Sequence, residues 1–277
     1  MKPSSTSPGA RAFAASLREV RVVRGTGVRA LADKLRLSPQ MLSQWERGWR
    51  LPSTETLARM LGFLNVDDTT YERLMYLLKH ARDDNWLDSN PSDLPPALNG
   101  IVEYERTTTK ITNWALALVP GLLQTPDYAR TILSGSQISL DQADRRLVAR
   151  LNRQKILTRR DPVRLAAVID EMVIRREVGN RDIMSDQIDH LLELSELQNI
   201  SLRIVPADAN YHPGLAGPFM LYEFEDLAPI VYLEHHHASA FLHDKEGVAW
   251  YRKLAKLVIG KALSEDATRE MLREVAR

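Results

Sequence analysis

Residues 31–48 read LADKLRLSPQMLSQWERG, and this stretch decides the fold of the first part of the chain. Ala30, Leu31, Ala32 and Leu35 fall on one helical face, so the spacing predicts a short amphipathic helix over 28–36. A second helix begins almost at once. Ser38 suits the N-cap, and Pro39 suits the first helical position, where its missing N–H leaves nothing unsatisfied. Leu37 before the cap and Leu42 after it fit a hydrophobic staple. Gly48 provides the stop. The second helix then has an inner face of Leu42 and Trp45. Its outer face carries Gln40, Met41, Ser43, Gln44 and Arg47.

Two short helices joined by a turn of three or four residues have helix-turn-helix geometry, in which the second helix enters the DNA major groove. The outer face suits that use. A helix facing only water usually shows Lys and Glu. Here Gln offers a donor and an acceptor to a base edge, Ser a hydroxyl, and Met an apolar contact for a thymine methyl. Arg47 and Arg50 follow the helix at the place where phosphates would run. The competing reading is an ordinary helical hairpin with an incidental polar face.

The rest of the composition agrees with a DNA-contacting head on a different kind of body. The 277 residues are 44% apolar and 26% charged, ordinary for a soluble globular protein and long enough for two domains. The whole chain has 37 Lys+Arg against 36 Asp+Glu, yet residues 1–60 hold 11 against 4, a net +7, which leaves −6 for the remainder. A basic head on an acidic body expects a polyanion at the head. There is no Cys. Disulfides and thiolate sites are excluded, and a reducing cytoplasm is the expected compartment, with the protein associated with the nucleoid. Residues 1–12 read as a short flexible tail without the apolar core of a secretory signal. No apolar run is long enough to span a membrane.

The pattern LAxxLxLSxxxLSxWERGxRxPSxxTLxxMLxxL resembles the helix-turn-helix domain of the XRE/Cro–C1 repressor class, over about residues 13–80. The resemblance implies a first helix over Phe13–Arg24, a fourth over Ser53–Leu64 with Ser53 as cap, and a fifth over Tyr71–His80. It implies base contacts from Gln40, Met41, Ser43 and Gln44; Ser38, Arg47 and Arg50 complete the expected DNA-contacting set. The class often places a polar residue at the first turn of its second helix, to touch phosphate. Gly27 and Val28 stand there, and Arg29 is the substitute.

Residues 83–98, DDNWLDSNPSDLPPAL, read as a linker or extended strap between a helix-turn-helix domain at 13–82 and a second domain at 99–277. In the second domain helical and strand-like runs mix without strict alternation. The expectation is an α+β fold with a small mixed or antiparallel sheet. VPGLLQTPDYAR, ARLNRQKIL, HLLELSELQNISLRIVPA and HPGLAGPFMLYEF are similar to the C-terminal domain of WhiJ-like regulators of actinomycetes, over about residues 95–275. That resemblance implies a transcriptional regulator, often with a small partner protein encoded nearby.

Sites for other chemistry are weak. Within EHHHASAFLHD, residues 234–244, His235 and His237 would share one face of a strand, but three successive His cannot face one ion and no HExxH spacing is present. No metal and no cofactor is therefore expected. Tyr211, His212 and Phe219 flank a Gly-Pro-rich loop that could line a partner or ligand groove, or simply form a turn. No GxSxG elbow and no phosphate-binding loop appears, and the Asp-Glu pair in AVIDE is too common a pattern to mean catalysis. The expected protein is a non-enzymatic, sequence-specific DNA-binding transcriptional regulator, a homodimer on an inverted repeat of double-stranded DNA, whose C-terminal domain takes a small partner protein or ligand. The alternatives are an antitoxin-like member of a two-protein module, or an enzyme or metal-binding protein with a DNA-binding head.

Overall fold

The computed structural model of the protein describes residues 7–81, 85–88, 96–135, 139–234 and 239–276. They form two compact units. One holds the described residues up to Tyr104 together with Asp226–Ile230 and the described part of His235–Asp244; the other holds Glu105–Glu225, Val231–Glu234 and Lys245 onward.

The first unit opens with five helices, α1 (Pro8–Val23), α2 (Val28–Leu35), α3 (Pro39–Trp45), α4 (Thr54–Phe63) and α5 (Asp68–His80). Phe13, Leu17, Leu31, Leu42, Leu57, Met60, Leu61 and Leu74 are fully buried and make its core. Helix α1 starts at Pro8, five residues before the expected Phe13. The cause is a second Ser-Pro start signal: Ser7 accepts the Ala10 N–H at 3.1 Å and donates to the Ala81 carbonyl at the end of α5. Helix α5 likewise starts before the expected Tyr71. Asp67 caps it by accepting from Thr70 N–H at 2.8 Å, and these hydrogen bonds hold its carboxyl below the usual aspartate range. Within the expected linker, β1 (Asn85–Asp88) is a strand and α6 (Pro96–Thr107) begins; residues 83–84 and 89–95 lie outside the described residues.

The second unit is α+β. Its strands are β2 (Lys110–Ala115), β3 (Arg164–Asp170), β4 (Ile200–Val205), β5 (Phe219–Glu223) and β6 (Ile230–Glu234), in the order β6-β5-β2-β3-β4. β2, β3 and β4 run parallel, with Trp114 opposite Val168 and Ile169 opposite Ile204, while β5 lies antiparallel to β2. The sheet is therefore mixed. Parallel neighbours need crossovers: α7 (Pro126–Ser134) and α8 (Leu140–Gln154) connect β2 to β3, and α9 (Met172–Arg175) and α10 (Arg181–Ser195) connect β3 to β4. α11 (Lys245–Lys261) and α12 (Glu265–Val275) close the chain, and α10, α11 and α12 all pack against β4. One further strand, β7 (Ser239–Leu242), belongs to the first unit and pairs antiparallel with β1, Trp86 opposite Phe241.

Candidate nucleic-acid interface

Helix α3 is anchored from within. Leu42 and Trp45 are buried, which turns Gln40 and Met41 outward into solvent and leaves Ser43 and Gln44 half-buried beside them. Ser38 is exposed, and its Oγ accepts the Met41 N–H at 3.1 Å as the helix cap. Arg29, Arg47 and Arg50 are exposed. The structure thus brings Gln40, Met41, Ser43 and Gln44 onto one short surface, with Arg47 and Arg50 at its C-terminal end.

Sequence spacing did not reveal what holds this surface. Glu46, which ends α3, receives both Nε (2.5 Å) and Nη2 (2.9 Å) of Arg21 from the last turn of α1, and Arg21 Nη1 donates to the Thr26 carbonyl at 2.7 Å. Both side chains are about nine-tenths buried. The hydrogen bonds to Glu46 raise the Arg21 pKa further above its already high value. A planar guanidinium bonded at two points fixes orientation as well as distance, so α1 helps to set the roll of α3. The only signal in the sequence was Glu46 itself, acidic where the outer face is otherwise neutral or basic.

The turns are fixed by one repeated device. After α1, Thr26 N–H reaches the Arg21 carbonyl (3.1 Å) and Gly25 N–H the Val22 carbonyl (2.9 Å). After α2, Leu37 reaches Ala32 (2.8 Å) and Arg36 reaches Asp33 (3.2 Å). After α3, Trp49 reaches Gln44 (3.0 Å) and Gly48 reaches Trp45 (3.0 Å); after α4, Val66 reaches Leu61 (3.3 Å) and Asn65 reaches Gly62 (3.1 Å). Each is the bond pair of a Schellman motif, whose C′ residue takes the left-handed conformation. The C′ residues are Gly25, Arg36, Gly48 and Asn65, with φ of +63°, +56°, +71° and +47°. Arg59 of α4 adds a hydrogen bond to the Leu35 carbonyl at 3.4 Å, so the end of α2 is capped twice.

The second unit accounts for its own sequence motifs structurally. In VPGLLQTPDYAR, Tyr128 Oη accepts from Val119 N–H (3.2 Å), Gln124 Nε2 donates to the Val119 carbonyl (2.7 Å), and Gln187 bridges Thr125 N–H and the Leu123 carbonyl, both at 2.8 Å. The motif is thus a loop clamped by buried amides. Arg153 of α8 forks onto Glu105 of α6 at 2.7 and 2.8 Å; burial alone would lower the arginine pKa, and the carboxylate outweighs it and raises it. Burial pushes the nearby Tyr222 hydroxyl well above its ordinary pKa. Of the three residues flanking the Gly-Pro loop, only Tyr211 is at the surface, 80% exposed. His212 and Phe219 are buried: the His212 ring meets the edge of Trp114 at 5.5 Å, and Trp114 Nε1 donates to the Gly214 carbonyl at 2.7 Å. Tyr211 thus lies at the surface while His212 and Phe219 lie in the interior. In AVIDE, Asp170 accepts from Met172 N–H and Glu171 from Ala207 N–H and Arg175, so both acids hold local structure. His235–His237 lie outside the described residues; among the described residues no cluster of three metal-ligating side chains occurs, and no helix is long and apolar enough to cross a membrane.

Two short helices joined by a tight turn, the second with an outward polar face, have helix-turn-helix geometry, and residues 17–70 match the helix-turn-helix family, which supports a DNA-binding transcription regulator. Over residues 98–274 the match is to a domain of unknown function, DUF5753, and the chain belongs to that family. No curated protein matches. Similar solved structures include the clp gene regulator ClgR from C. glutamicum, 29% identical with a TM-score of 0.23 over 29% of this chain and 97% of that one. They also include TrmBL2, an archaeal chromatin protein described as showing a novel mode of DNA binding, 10% identical with a TM-score of 0.33 over 76% of this chain and 67% of that one. Both scores are too low to carry fold or function across.

Proposed function

We propose that this protein is a sequence-specific transcriptional regulator that binds an inverted repeat in duplex DNA as a homodimer, with a C-terminal domain that takes a small partner protein, as in WhiJ-like regulators. The observation that carries the DNA reading is α3. One side is buried through Leu42 and Trp45, and the other presents Gln40, Met41, Ser43 and Gln44, residue types that read base edges, next to the exposed Arg47 and Arg50. The antitoxin-like module is a variant of the same reading, in which the partner alters DNA occupancy.

The test is to sequence the genomic fragments retained by the full chain at about 0.15 M salt, where nonspecific binding is weakened. A short inverted repeat is expected. With that repeat in hand, Gln44→Ala should relax base preference at one position by about 1–3 kcal/mol. If Gln44→Ala changes neither affinity nor preference, the assignment of the reading face fails.

The partner reading is supported by α11. Trp250 and Leu257, 56% and 52% exposed, lie on one face two turns apart, with exposed Lys253 and Lys256 beside them. This helix carries five basic residues and one acidic, on a body that is otherwise acidic. A partner that uses it would present apolar anchors among Asp and Glu. Trp250→Ala should then weaken partner retention and leave DNA affinity of the isolated chain unchanged.

A further inference from the structure

The Schellman turn that ends α3 departs from the other three in one respect. The residue after the left-handed position normally packs back onto its own helix. Thr26, Leu37 and Val66 hold that position after α1, α2 and α4 and are partly buried. Trp49 stands in the same position after α3 and is 45% exposed. Its ring is instead covered by the Arg47 guanidinium, 4.9 Å from the ring centroid. Gly48 makes this possible: at φ +71° it reverses the chain, so that residues 47 and 49 come together. The matching helix position three before the cap is Gln44, a polar residue.

We propose that Trp49 is a positioning residue, an exposed aromatic shelf that holds the Arg47 guanidinium flat so that its N–H edges meet a backbone phosphate beside the C-terminal end of the recognition helix. A lone exposed arginine has many rotamers and loses their entropy on binding. Stacked on indole, it is pre-ordered and still carries its full complement of donors at the edge of the plane. A phosphate contact carries no sequence information, so the shelf adds affinity evenly across sequences. This rests on the DNA-binding reading above.

The experiment uses the full-length chain with two duplexes of equal length, the most enriched genomic fragment and a scrambled version of it. Arg47→Ala, Trp49→Ala, Trp49→Phe and the double alanine variant are compared across salt concentrations. Trp49→Ala is expected to weaken binding to both duplexes alike, by about 3- to 10-fold, and Trp49→Phe to recover much of that loss. Arg47→Ala should lower the slope of log K against log salt by about 0.9. The double variant should bind no worse than Arg47→Ala alone, because the shelf has no other task. The inference is overturned if Trp49→Ala is neutral, if the two losses add, or if the loss is confined to the enriched duplex, which would make Trp49 a base reader. If the unmodified chain binds neither duplex, the DNA-binding reading falls and this inference with it. If that chain binds and Trp49→Ala is neutral, only the shelf falls.

Discussion

At the scale of single residues, neighbours in the chain do unrelated work. Glu46 and Arg47 are adjacent, yet Glu46 is buried on Arg21 and Arg47 is exposed over Trp49. Removing one partner of a buried, bidentate pair leaves the other charge uncompensated, so Glu46→Ala should destabilise the chain by about 3 kcal/mol. Arg47→Ala should cost stability less than about 0.5 kcal/mol while weakening DNA binding. Thermal unfolding alongside a binding titration separates the two. The outward row of α3 was legible because Leu42 and Trp45 are three apart, and an inner pair at that spacing assigns the outer one. The Arg21–Glu46 bond was not, because a separation of 25 positions leaves no periodic trace of a side-chain contact. In the second unit, Glu171 accepts from Ala207 N–H at 2.7 Å and from Arg175, and these partners hold its carboxyl below the ordinary glutamate range. A depressed folded-state pKa stabilises above the unfolded value and loses that contribution as pH falls through the folded one. Thermal stability of the protein should therefore exceed that of Glu171→Gln at neutral pH, and the gap should close below about pH 4. A gap that is independent of pH would remove the charge from the explanation.

At the scale of elements, the turns decide which substitutions matter. Gly25 and Gly48 both have positive φ, but a Cβ on Gly25 would meet nothing within 4 Å, whereas one on Gly48 would lie 3.0 Å from the Ala10 carbonyl oxygen. Gly25→Ala should therefore cost about 1 kcal/mol, the conformational term alone. Gly48→Ala should cost clearly more, because α1 must also move. Equal losses in denaturant unfolding would show that α1 yields freely. Arg36 occupies the turn after α2 at φ +56° without being glycine. Arg36→Gly should stabilise by a few tenths of a kcal/mol, strain relief being partly offset by unfolded-chain entropy. The starts of α3 and α4 were readable for the same local reasons, from Ser38 and Ser53, and Thr125, Ser139 and Ser264 cap α7, α8 and α12 in the same way. β1 was not readable. Four residues, NWLD, carry too little alternation to declare a strand, and it exists through pairing with Ser239–Leu242, more than 150 positions away. α1 was misjudged for a different reason. Ala10 and Ala12 are buried and helical, but a stretch of Ala beside Gly and Ser resembles a tail in composition alone.

At the scale of the whole molecule, the reading surface is small and its charge is concentrated. Helix α3 spans seven residues, and single DNA-binding modules bury roughly 600–1,000 Å², at the low end for specific recognition. Residues 1–60 carry a net +7 against −6 for the remainder, so the net charge that attracts a polyanion lies in the head. Phosphate attraction alone is indifferent to sequence, and one α3 reads only a few base pairs. In the homodimer proposed above, two copies read two half-sites, which multiplies the discrimination of one helix by that of its twin. Two-fold symmetry places the half-site centres about 34–36 Å apart, one helical turn of DNA. Inserting five base pairs between the half-sites would rotate one of them by about half a turn, to the opposite face of the duplex. Affinity should then fall by at least about 10-fold, to the level of an isolated half-site, and light scattering of the intact complex should give two chains per duplex. Unchanged affinity after the insertion would mean that each chain binds alone. The specificity would then have to come from contacts outside α3, with Arg29 and the residues after Gly48 the first to examine.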